Sequence, residues 1–101
     1  MEIISIVEYK VYMKRVMIIV HGKVQGVFFR VSTVKKALSL SVTGLVINQS
    51  DGSVKIIAEG EEEKLTELIE WCKSGPPMAR VAGINCTWEL YKNEFNTFET
   101  R

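Results

Sequence analysis

Ten consecutive residues, His21-Gly22-Lys23-Val24-Gln25-Gly26-Val27-Phe28-Phe29-Arg30, combine the residue types that hold an anion. Gly22 and Gly26 let a loop turn its backbone N–H groups inward, into a concave nest for negative charge. A helical apolar period follows, and the unpaired N–H groups of a first helical turn add positive potential at the same place. Arg30 falls in or near that turn, with a planar fork that matches two phosphate oxygens. An arginine there opposes the helix dipole, so the position is electrostatically poor unless an anion sits beside it. The plainer alternative is a glycine-bearing turn followed by a solvated surface arginine. The segment is not a nucleotide P-loop, because Val27 follows Gly26 where Gly-Lys-Ser/Thr would be needed. It also lacks the dinucleotide G-x-G-x-x-G.

A second polar residue is placed by a rigid run. Asn48 ends the apolar stretch Leu45-Val46-Ile47 just ahead of a turn. Its amide can both donate to and accept from a water molecule, as orienting a nucleophile requires. Pattern alone favours the simpler alternative, a turn-entry asparagine bonded to its own backbone. His21 is the only histidine and reads as a strand-end residue rather than a base.

The charge pattern suits an anion and weighs against other partners. The 101 residues carry 13 Lys/Arg and 12 Asp/Glu, a net charge of +1, and 47% are hydrophobic. That is one ordinary globular domain, able to bury roughly 60–70% of its unfolded surface without staples. Near-neutrality argues against a dedicated nucleic-acid binder. The total hides a split: residues 1–50 contain only Glu2 and Glu8 as acids, and none lies between Tyr9 and Ser50. Cys72 and Cys86 are too sparse for a disulfide framework and have no histidine nearby for zinc, so both read as small core residues. No stretch approaches the roughly 20 apolar residues of a membrane span, and the first fifteen residues do not form a signal peptide. Cytoplasm is the default location.

The elements that would position these groups follow from periodicity. Val16–Val20 is a buried strand, and His21 to Gly26 a loop. Val27, Val31, Val34 and Leu38 mark one face of a helix, with Lys35 and Lys36 off that face. Val42–Asn48 and Val54–Glu59 form a hairpin across Gln49-Ser50-Asp51-Gly52. Glu61-Glu62-Glu63 opens a second helix, whose stripe is Leu65, Leu68, Ile69 and Cys72 and whose end is set by Gly75 and Pro76-Pro77. Ala82, Ile84, Cys86, Trp88 and Leu90 alternate as a half-buried strand, and a weak last strand lies near Phe95–Glu99. The order β-α-β-β-α-β predicts an α+β, ferredoxin-like sandwich: an antiparallel sheet with two helices on one face. Met1–Met13 is apolar and β-prone, and reads equally as an extra strand, an extension or an upstream start; it is set apart from a domain at 14–101.

Gly22-Lys-Val-Gln-Gly-Val-Phe-Phe-Arg30 resembles the signature G-[basic]-V-Q-G-V-x-F-R of the acylphosphatases. Gly44-Leu-Val-Ile-Asn48 with Asp51-Gly-Ser-Val54 is similar to that family's second signature, G-W-V-x-N-x-x-D-G-x-V, at the expected separation. Gly75-Pro-Pro-Met-Ala-Arg80-Val81 resembles its segment before the fourth strand. The resemblance implies hydrolysis of acyl phosphates to a carboxylate and inorganic phosphate. It implies that Arg30 binds the phosphoryl group together with the loop Gly22, Lys23, Val24, Gln25, Gly26, Val27, Phe28 and Phe29, and that Asn48 orients the attacking water. Neither a metal nor a cofactor is expected, and a carboxylate leaving group, near pKa ~4, needs no general acid. The expected partners are a small acyl phosphate and inorganic phosphate, as product and inhibitor. No nucleic acid or membrane is expected, and the working unit is a monomer unless sheet edges or Met1–Met13 pair.

Three positions depart from the family pattern. Leu45 replaces its usual Trp, Ser41 replaces a helix-closing glycine, and Phe28 is bulky where a smaller residue is common, narrowing the pocket mouth. A non-catalytic anion-binding module is the competing reading, disfavoured because a pure binder needs no water-orienting Asn48. An RNA-binding sheet is disfavoured by the lack of stacking aromatics.

Overall fold

The computed structural model describes residues 12–101. Five strands form one sheet in the order β4-β1-β3-β2-β5: β1 Met13–Lys23, β2 Thr43–Asn48, β3 Val54–Glu61, β4 Arg80–Leu90 and β5 Phe98–Thr100. The four strands of the predicted sandwich pair antiparallel throughout, and the short β5 adds a parallel pair on β2. Two helices, α1 (Phe29–Ser39) and α2 (Glu62–Cys72), pack on the sheet and touch each other through Phe29 and Trp71, whose rings lie 5.4 Å apart. The strand at residues 16–20 is longer than its apolar run: His21, Gly22 and Lys23 continue β1 and pair with β4, which shortens the loop. Whether residues 1–11 add a strand lies outside the described residues. No helix among the described residues is long and apolar enough to cross a membrane.

The helix-side face of the sheet follows the period-two pattern. Val16, Ile18 and Val20 of β1 pair with Ala58, Ile56 and Val54 of β3, and all six are fully buried. Leu65, Leu68 and Cys72 of α2 close over them, as their spacing predicted, with Ile69 half-buried alongside. Glu62 and Glu63 occupy the first turn of α2, where the dipole favours acids. The hairpin also forms as expected, closed by Gln49 N to Ser53 O at 2.9 Å, with Gly52 at φ 92°.

Two apolar assignments need correction. The buried stripe of α1 is Phe29, Thr33 and Ala37, whereas Val31 and Leu38 are each 54% exposed and Val27 is buried ahead of the helix. The helix begins two residues later than its apolar period suggests. Thr33 then tolerates burial because its hydroxyl donates to Phe29 O at 2.8 Å. In β4 the expected inward row fails beyond Ile84. Cys86, Trp88 and Leu90 stand opposite Ile18, Val16 and Lys14, yet all three are exposed, Leu90 by 86%. The cause is position, since β4 is the outermost of the described strands and α2 packs over β1 and β3. Cys86 is therefore not a core residue, unlike Cys72. A bulge between His21 and Gly22 leaves Ala82 unpaired and turns both Val81 and Ile84 toward the core.

The opposite face carries a buried ion pair. Arg15 Nη1 lies 3.5 Å from Glu59 Oε2 and 2.7 Å from Glu94 Oε1, while its Nε donates to Glu89 at 2.9 Å. Glu59 also accepts the backbone N–H groups of Lys92 and Glu94, which straps the chain after β4 across the sheet. Burial works against the Arg15 charge, but the hydrogen bonds to Glu94 and Glu89 outweigh it and raise its pKa.

Candidate active site

The loop between β1 and α1 is pinned from below by apolar plugs. Val24, Val27 and Phe29 are each at most 3% exposed, so their side chains fix the segment while the backbone between them stays outside. Gly26 (φ 74°) and Phe28 (φ 67°) are both left-handed. Left-handed residues interleaved with right-handed ones are the backbone pattern from which anion-binding nests are built. Upstream, Gly22 lets the strand pass β4 closely: a Cβ there would lie 2.2 Å from the Arg80 carbonyl oxygen. Ser32 N is the donor that closes the first helical turn, onto Phe28 O at 3.1 Å. The amides of Phe29, Arg30 and Val31 precede it and have no acceptor within the helix.

A cavity of about 360 Å³ opens above this nest, lined by Val24, Gly26, Phe28, Phe29, Arg30, Val31, Asn48 and Thr100. Arg30 and Asn48, from α1 and the end of β2, thus face one space although 18 positions separate them in the chain. Arg30 is exposed and its Nη1 donates to Arg101 O at 3.2 Å, tying the guanidinium to the end of β5. Asn48 Oδ1 is buried and has no hydrogen-bond partner among the described residues. Leaving such an acceptor unpaired costs about 1–3 kcal/mol.

The remaining loop residues support the cavity rather than line it. Gly22 and Lys23 lie in β1, and Val27 is core. Gln25 turns its amide away, donating to Gln49 O at 2.7 Å and Ser53 O at 2.9 Å, so that the nest is tied to the hairpin that carries Asn48. Asp51 Oδ1 accepts both the Ser53 hydroxyl and the Ser53 N–H, and these bonds lower its pKa. His21 is exposed and pairs with Asn85 Oδ1 at 2.9 Å, away from the cavity. Two lining residues, Val31 and Thr100, have no signal in the sequence: Val31 reads as a core position of α1, and Thr100 sits on a strand of three residues. A larger depression of about 860 Å³ sets four carboxylates, Glu61, Glu62, Glu63 and Glu67, against one cation, Lys14, which makes it unfavourable for anions.

Comparison with known proteins identifies the relatives of this chain. The family model Acylphosphatase matches residues 16–100. The acylphosphatase of Pelotomaculum thermopropionicum is 44% identical over 85 residues, which cover 84% of this chain and 92% of that protein. A solved acylphosphatase from Coxiella burnetii superposes with a TM-score of 0.88 at 38% identity, covering 93% of this chain and 98% of the other. The acylphosphatase of Bacillus subtilis does so with a TM-score of 0.84 at 35% identity, over 87% and 98%. The chain belongs to the acylphosphatase family, enzymes that hydrolyse acyl phosphates to a carboxylate and inorganic phosphate.

Proposed function

We propose that in this chain Arg30 and the backbone N–H groups of the loop through Phe29 bind the phosphoryl group, and that Asn48 orients the attacking water. The observation that carries this reading is that Arg30 and Asn48, 18 positions apart in the chain, line one cavity. Phosphoryl transfer asks a protein mainly for position and for charge stabilisation on the equatorial oxygens. The convergent amides and the Arg30 fork supply the charge. Water held by Asn48 forms the new P–O bond while the bond from phosphorus to the acyl oxygen breaks. The electron pair leaves on the carboxylate, and the water's proton passes to solvent. No step requires a metal, a cofactor or a general acid. A cytoplasmic setting, a monomeric working unit and a functional domain at 14–101 with Met1–Met13 as an extension complete the proposal; the family match over 16–100 supports that boundary.

The test is hydrolysis of benzoyl phosphate in the presence of EDTA. Turnover should persist, with inorganic phosphate as a competitive inhibitor. Arg30→Ala should weaken phosphate inhibition by roughly 100-fold, as expected for loss of a charge-assisted donor pair. Inhibition by phosphate that is unaffected in Arg30→Ala would remove Arg30 from its role.

A further inference from the structure

Phe28 is conspicuous on three physical grounds. It is a bulky residue held left-handed at φ 67° and ψ 21°, a backbone state disfavoured by about 1 kcal/mol or more for such side chains. It is 67% exposed, so core packing does not repay that strain. It also lines the cavity shared by Arg30 and Asn48, as does Val31, itself 54% exposed from the first turn of α1. Two exposed apolar side chains therefore flank the anion nest on either side of Arg30 in sequence.

We propose that Phe28 and Val31 form an acyl subsite, selecting acyl phosphates whose acyl group is apolar and above all aromatic. The inference rests on the phosphoryl group occupying the Arg30 nest. With that end fixed, the acyl group leaves toward the open side of the cavity, where a ring can lie against Phe28 and Val31. A cavity of about 360 Å³ is of the size that holds a small ligand rather than a bare ion. Charge selects in the same direction. Arg30 is the one charged residue among those lining the cavity, and the phosphoryl group occupies it. An acyl group bearing a second carboxylate finds no further cation among the described lining residues, and an acetyl group is too small to cover the shelf. Covering one face of a phenyl ring removes on the order of 50 Å² of apolar surface, worth roughly five- to tenfold in binding.

The experiment compares kcat/KM for benzoyl phosphate and acetyl phosphate in the parent and in Phe28→Asn, Phe28→Tyr and Val31→Ser. Asparagine accepts the left-handed backbone but removes the ring, whereas tyrosine keeps the ring. The benzoyl-to-acetyl ratio should fall about five- to tenfold in Phe28→Asn, through a higher KM for benzoyl phosphate, and about twofold in Val31→Ser. It should stay at the parent value in Phe28→Tyr. A general disturbance of the loop lowers both substrates together and leaves the ratio alone. An unchanged ratio in Phe28→Asn and Val31→Ser overturns the subsite whatever the absolute rates. If the parent hydrolyses neither substrate, the fault lies with the phosphoryl-site assignment instead.

Discussion

Asn48 Oδ1 is buried without a partner among the described residues, so the side chain contributes no hydrogen bond to stability through that atom. Stability and turnover should therefore separate on mutation. Asn48→Ala removes the unpaired acceptor and should unfold within about 1 kcal/mol of the parent in urea. A loss above about 3 kcal/mol would show that the amide is bonded structurally after all. The two thiols differ for a similar reason of environment. Burial pushes the Cys72 thiol up to about 12, while Cys86 is exposed at the sheet edge, where partial desolvation also raises its pKa. At pH 8 a disulfide reagent should therefore modify Cys86 in the native protein and reach Cys72 only on unfolding. Equal native rates would contradict the burial.

At the scale of elements, local backbone and polar ties decide how well the site is held. Ser41 closes α1 at φ 57°, the left-handed state in which glycine is unstrained. Ser41→Gly should raise stability by about 0.5–1 kcal/mol, read as a shifted urea midpoint; no gain would mean the serine is not strained there. In the hairpin, the Ser53 hydroxyl and N–H depress the Asp51 pKa below its ordinary 3.8. The stabilisation is thus complete above that value and fades as pH falls through the lowered folded value. The difference in Tm between the parent and Asp51→Ala should be present near neutral pH and shrink below about pH 4; a constant difference would exclude the carboxylate as its source. On the far face, Arg15→Met leaves Glu59 without its buried cation and should destabilise by about 3 kcal/mol. The elements themselves were unequally legible. Val54, Ile56 and Ala58 alternate cleanly because β3 is central and covered, and Asp51-Gly52 announces its own turn. The face of α1 was not legible, because Thr33 hides its polarity in a bond to Phe29 O that no hydrophobicity pattern records.

At the scale of the whole molecule, the site is assembled from the loop after β1, the start of α1, the end of β2 and β5. The net charge of +1 says little about it, whereas the acid-free span from Tyr9 to Ser50 contains Arg30, Asn48 and the entire nest. Those residues were legible because two signatures name them at fixed spacing. Thr100 and the Arg30 to Arg101 contact were not, since a parallel pairing of β5 with β2 leaves no periodic mark in three residues. The exposure of Cys86, Trp88 and Leu90 was equally hidden: alternation reports which side chains share a face, not whether a helix covers it. The division of labour within the assembled site is the central claim, and Asn48→Ala tests it most directly. With benzoyl phosphate as substrate, kcat should fall by about 100-fold or more while the phosphate inhibition constant stays near that of the parent. An Asn48→Ala enzyme as fast as the parent, or one that loses phosphate binding along with turnover, would contradict it.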